Sequence, residues 1–150
     1  MPKHDGKEQE LLQTALKVME KAYVLWGFKV GAAVLAEDGE VYEGCNVESW
    51  ISGLGICAER NAINHAVLHG NKRINTVAVV IEEKNIEAPR PCGVCLQYIK
   101  DFSENNVKVI MAKAKAGKIL SESVDVKTIG ELLPYSYEMR QRALDSFLQG

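Results

Sequence analysis

Two short segments carry the residue types that could do chemistry. In Gly53-Leu54-Gly55-Ile56-Cys57-Ala58-Glu59-Arg60, a cysteine stands just ahead of a glutamate and an arginine; in Pro91-Cys92-Gly93-Val94-Cys95, two cysteines are separated by two residues. Each segment follows a loop and places cysteine at or just before a helix start. There the unpaired backbone N–H groups and the helix dipole favour the thiolate over the thiol. Three thiolates converging from two helix starts make a zinc site for one ion per chain, with Cys57, Cys92 and Cys95 as ligands. Three protein ligands leave a fourth tetrahedral position open, the mark of catalytic rather than structural zinc. Water in that position has its pKa lowered from about 15.7 towards 7. Three thiolates also weaken the Lewis acidity by donating charge, and Arg60, in the first turn of the same helix, can offset this by donating to the sulfurs. Glu59 is then a proton shuttle for attack on an amidine-like carbon rather than a fourth ligand.

Two plainer readings compete. The Cys92–Cys95 pair could be a redox pair, and the site could be structural zinc closed by Cys45 or His65. Cys45 lies in a strand-like run, where small buried cysteines are common, and His65 lies well into its helix, pointing away from the helix start. His4 and His69 read as solvent-exposed and take no role.

The elements that must position these residues follow from periodicity. Apolar residues at 11, 12, 15, 16, 18, 19 and 22 predict an amphipathic helix from Glu8 to about Leu25. Strands over 29–36 and 41–47 flank Asp38-Gly39, a strong hairpin signal. Residues 48–56 form a loop, a helix runs from Cys57 to the stop signals Gly70 and Asn71, and 76–81 is a continuous apolar strand. A second helix starts after Pro91 and a second buried strand covers 107–112. An edge strand follows within 113–123, then a short helix stopped by Pro134 and a helical tail to Gly150. Strands alternating with helices predict an α/β fold, with helices on both faces of a mixed sheet. Nothing divides the chain, so residues 1–150 read as a single domain.

Composition narrows the partners. The 150 residues are 47% hydrophobic and 25% charged, with a formal net charge of −2, so no strong positive field draws in a polynucleotide. The N-terminal residues lack the apolar core of a signal peptide and no stretch approaches membrane-spanning length, which predicts a cytoplasmic protein with reduced thiols.

Cys57-Ala58-Glu59-Arg60 together with Pro91-Cys92-Gly93-Val94-Cys95 resembles the small zinc-dependent cytidine deaminases, the homotetrameric type. The likeness extends to Val30-Gly31-Ala32-Ala33, Gly44-Cys45-Asn46-Val47-Glu48, Leu54-Gly55-Ile56 and Glu131-Leu132-Leu133-Pro134. It implies the three-layer α-β-α fold with a five-stranded mixed sheet. It implies Zn2+ as cofactor and hydrolytic deamination of cytidine or deoxycytidine to the uridine form, a pyrimidine-salvage reaction releasing ammonia. It further implies that Asn46 and Glu48 bind the ribose hydroxyls, that Phe28 packs on the pyrimidine and that Ala58 offers backbone groups to the base. A homotetramer with shared active sites is implied too, and Trp50, Ile51, Leu54 and Ile56 in one loop beside the site suit an interface. The chain departs from the family pattern at Trp26-Gly27, over Ser49 to Gly53, and at Leu96. The first two fall on the substrate side, so another aminopyrimidine nucleoside, such as blasticidin S or a modified cytidine, is the alternative substrate. A non-catalytic zinc-stabilised binding module is a third reading, against which Glu59 counts because a structural site has no use for it.

Overall fold

The computed structural model describes residues 5–83 and 89–137. Helix α1 (Gly6–Met19) starts at Asp5, whose side chain accepts from the Glu8 N–H at 2.8 Å. It buries Leu11, Leu12, Ala15, Val18 and Met19. It ends several residues before Leu25, because the chain is then drawn into pairing with residues 46–48. The Tyr23 N–H donates to the Asn46 carbonyl at 3.0 Å, and the Glu48 N–H donates back to the Tyr23 carbonyl at 2.8 Å.

Strands β1 (Val30–Ala36) and β2 (Val41–Cys45) form the expected hairpin. A one-turn 3-10 helix, Ser52–Leu54, interrupts the loop before α2 (Ala58–Leu68). Then come β3 (Ile74–Glu82), α3 (Gly93–Asp101), β4 (Lys108–Lys115), the two-residue β5 (Lys118–Ile119), β6 (Asp125–Thr128) and the one-turn α4 (Ile129–Leu132). The sheet is mixed: β3 and β4 are parallel, and the other pairings are antiparallel.

The resemblance implies five strands and the described residues make six, in the order β2-β1-β3-β4-β5 with β6 also paired to β4. The difference is one of interruption. β3 occupies one edge of β4, so β5 and β6 share the other: β5 pairs residues 114–115 and β6 pairs 108–111. Six strands therefore fill five positions. The expected helix ahead of Pro134 begins later than the sequence suggests. Val124 and Val126 pack against the apolar core while Asp125 and Lys127 alternate with them, which is strand patterning. The helical part starts at Thr128, whose side chain and that of Glu131 form a reciprocal capping box. The expected helical tail lies beyond the described residues from 138 onward, as does His4 at the other end.

Two cores sandwich the sheet. α1 packs with Ala33, Ala78, Val80, Ile110 and Ala112 on one face. On the other, α2, α3 and α4 pack with Ala32, Val34, Val77, Val79, Val109 and Met111. α2 approaches β2 closely at Gly44, where an added Cβ would lie 2.3 Å from the Ala62 nitrogen. α2 and α3 lie side by side, joined by the Tyr98 hydroxyl donating to Asn64 Oδ1 at 2.5 Å. Each helix leads into one of the two parallel strands, so their N-termini meet beside the carboxyl ends of β3 and β4, where open α/β sheets place ligands.

Candidate active site

Cys57 and Cys92 are the N-cap residues of α2 and α3, both with extended backbone. Cys95 lies one turn into α3, fully buried. The Cys92 Sγ accepts from the Cys95 N–H at 3.5 Å, so the first turn of α3 folds around its own sulfur. The Cys57 and Cys92 sulfurs are 4.0 Å apart, those of Cys92 and Cys95 are 3.4 Å apart, and all three lie within 4.8 Å of one another. Tetrahedral thiolates about 2.3 Å from zinc stand about 3.8 Å from one another, so the observed spacings bracket what one zinc ion requires. Soft sulfur donors at helix N-termini also suit zinc chemically.

The electrostatics favour a shared negative charge. A hydrogen bond with Cys95 lowers the Cys57 pKa to about 5, helped by Arg60 and Cys92. The same bond and burial push Cys95 up. Arg60 Nη2 donates to the Cys57 sulfur at 3.7 Å and reaches the Gly55 carbonyl at 3.4 Å. Glu59 occupies the first turn of α2 and is 4% exposed. Burial pushes its carboxyl up to about 6.

A cavity of about 230 Å³ opens over this group, lined by Phe28, Ala58, Glu59, Ile81, Arg90 and Cys92 among others. A second cavity of about 270 Å³ adjoins it, walled by Trp26, Val47, Ser49, Ser52 and Ile56. Asn46, Glu48 and Cys57 line both. Of the site residues singled out by sequence, Phe28, Asn46, Glu48, Cys57, Ala58, Glu59 and Cys92 line these two adjoining cavities, whereas Arg60 and the buried Cys95 line neither and reach the site through the sulfur cluster. Cys45 and His65 take no part in the thiol cluster. The Cys45 carbonyl accepts from Asn61 Nδ2 at 2.8 Å, and His65 Nδ1 bonds the Glu43 carbonyl at 3.0 Å. Leu96 packs against the sheet core.

Three features went unread in the sequence. Trp26 and Trp50 meet edge to face with ring centroids 5.2 Å apart, bringing the two divergent segments together. Ile81 reaches the cavity because its strand ends there. Arg90 lines the cavity while held by Asp125 of β6 at 2.7 Å. An arginine beside a proline carries no local signal of such a place.

Comparison with known proteins gives a consistent result. The pattern of the cytidine and deoxycytidylate deaminase zinc-binding region matches residues 5–111. The cytidine deaminase of Sporosarcina psychrophila is 36% identical over 131 residues, covering 86% of this chain and 90% of that protein. The blasticidin-S deaminase of Bacillus cereus is 28% identical over 137 residues, covering 87% and 92%. Among solved structures, the cytidine deaminase of Burkholderia pseudomallei superposes with a TM-score of 0.75 at 34% identity, covering 86% of this chain and 98% of that one.

Proposed function

The chain belongs to the zinc-binding cytidine and deoxycytidylate deaminase family, and from that premise we propose how its residues carry out hydrolytic deamination of cytidine or deoxycytidine. The observation that carries the reading is the buried Glu59 carboxyl set beside three convergent thiols at the floor of a cavity. Cys57, Cys92 and Cys95 hold one zinc ion. Bound zinc supplies Lewis acidity that makes water nucleophilic near neutral pH.

The protein's own part is positional and protonic. Glu59, with its carboxyl raised to about 6 by burial, can both take and give a proton near neutral pH. It takes in turn the two protons that the attacking water gives up, passing one to the pyrimidine ring nitrogen next to the reacting carbon and the second to the amino group as the C–N bond breaks and ammonia leaves. Arg60 donates to the Cys57 sulfur and tempers the thiolate charge. Phe28 offers its ring to the pyrimidine, the Ala58 backbone meets the base, and Asn46 and Glu48 stand where the sugar lies, at the junction of the two cavities.

The same residues make a non-catalytic zinc module a poor account, because such a module has no use for a buried carboxyl costly to desolvate. Blasticidin S is a specific second substrate to test, supported by likeness to the Bacillus cereus enzyme and by the altered segments at Trp26-Gly27 and Ser49 to Gly53. Four further assignments complete the reading. Residues 1–150 act as one domain, the setting is pyrimidine salvage, and the protein works in the cytoplasm. Among the described residues, no helix is long and apolar enough to cross a membrane. The fourth is a homotetramer with shared active sites, supported by Trp26, Trp50, Ile51 and Leu54, each more than 60% exposed beside the cavity.

The test is ammonia release from cytidine, deoxycytidine, cytosine, blasticidin S and guanine. Cytidine and deoxycytidine should lead. Turnover of blasticidin S alone would move the assignment to the alternative, and no release from any of the five would reject deamination.

A further inference from the structure

Arg90 is the one cation among the described residues that line the cavity of about 230 Å³ over the thiol cluster. The proton steps assigned to Glu59 make no use of it. Its guanidinium rests on a seat built by the sheet. Met111 of β4 and Asp125 of β6 are register partners, so one rung offers both contacts. Arg90 Nη1 meets Asp125 Oδ2 at 2.7 Å and donates to Met111 Sδ at 3.4 Å. A guanidinium carries five N–H donors in a rigid planar fork. The Nη1 contacts account for two of them. Nε and Nη2 have no partner among the described residues, which leaves three donors. The side chain is 40% exposed, so a ligand in the cavity can reach it. A guanidinium held in this way suits a carboxylate, whose two oxygens match the fork.

The orientation of the base decides which substituent meets Arg90. Glu59 and Ala58 belong to the start of α2 and serve the ring nitrogen N3 and the O2 side. Arg90 and Pro91 lead into α3, the other helix start that converges on the thiols. In cytosine, N3 and C5 flank C4 on opposite sides. A ring with C4 at the thiol cluster and N3 at Glu59 therefore turns its C5 edge towards the start of α3. Phe28, Val30 and Ile81 line the same cavity and are apolar, so Arg90 supplies the charge that an anionic group at C5 would meet.

We propose that Arg90 is a specificity-determining residue whose free donors bind a carboxylate carried at C5 of the cytosine, favouring 5-carboxylated cytosine nucleosides over their 5-methyl counterparts. The inference rests on the deaminase reading above. A C5 methyl occupies the same place and offers the fork no acceptor.

The experiment takes the ratio of kcat/KM on 5-carboxycytidine to that on 5-methylcytidine, in zinc-loaded enzymes, so that the substituents' intrinsic reactivity cancels between enzymes. Asp125→Asn keeps an acceptor for Nη1 and should not lower the ratio. Adding Arg90→Met to that variant should lower it at least about tenfold, because hydrogen bonds between charged groups are lost without leaving Asp125 to repel the substrate. A smaller fall overturns the proposal. Should the variants fail to fold, calorimetry on the wild type decides. 5-Carboxyuridine should bind more tightly than 5-methyluridine, and equal or weaker binding overturns the proposal. Cytidine turnover with an unmoved ratio removes this inference alone, whereas a wild type that fails to deaminate cytidine removes the deaminase reading and the inference with it.

Discussion

The Cys57 sulfur lies 4.0 Å from that of Cys92, although 35 residues separate them in the chain. Nothing local accounts for that approach. It arises because α2 and α3 each lead into one of two parallel strands, so both helices start at the same end of the sheet.

Metal content follows from that convergence. Cys92→Ala removes a ligand from an open three-thiol site and should lose the zinc, while Cys45→Ala should keep it, since Cys45 lies outside the cluster. Elemental analysis of the purified variants checks both. Zinc retained by Cys92→Ala but lost by Cys45→Ala would point to a closed structural site.

Arg60→Ala should keep the zinc and lower turnover about 10–100-fold, the usual cost of losing a group that tunes a metal's ligands. Arg60→Lys should recover part of the loss by restoring the charge next to Cys57. Wild-type turnover in the alanine variant would reduce Arg60 to packing.

Much of this site was legible because its chemistry is local. Cys57, Glu59 and Arg60 sit within one helical turn, and Cys92 and Cys95 within another, so helix periodicity alone brings each group to one end. The apolar runs at 76–81 and 107–112 likewise announced the two buried parallel strands. What stayed hidden depends on distant pairing. The 125–128 strand is too short to declare itself without β4 beside it, and α1 stops at Met19 because residues 46–48 capture the chain at Tyr23. The bonds that Glu48 accepts from the backbone N–H groups of Leu25, Trp26 and Gly27 were unreadable for the same reason, as they join segments more than 20 residues apart.

Acid should weaken the hairpin through Asp38. Its carboxylate accepts from Tyr42 Oη at 2.6 Å, Asn71 Nδ2 at 2.9 Å and the Glu40 N–H at 3.0 Å. The bonds from Tyr42 and Asn71 lower its pKa below the ordinary value of 3.8. A depressed folded pKa contributes stability above the unfolded value that is lost as pH falls through the folded one. Urea unfolding of wild type and Asp38→Asn should therefore differ at pH 6 and converge as pH falls below about 4. A gap that widens on acidification would show the sign to be wrong.

Assembly is tested at Trp50, which is 74% exposed. Sedimentation should give a mass near four times 16.6 kDa. Trp50→Asp should lower that mass and the activity together. A fully active wild-type monomer would contradict shared sites.

The central claim is that the buried Glu59 carboxyl moves the protons of the deamination. The measurement that tests it most directly is cytidine turnover by Glu59→Gln protein shown to be folded and to carry one zinc per chain. The glutamine keeps the size and burial of the side chain but cannot shuttle a proton. Glu59→Gln should lose at least about 10²-fold in kcat. Turnover near that of the wild type, with zinc in place, would contradict it.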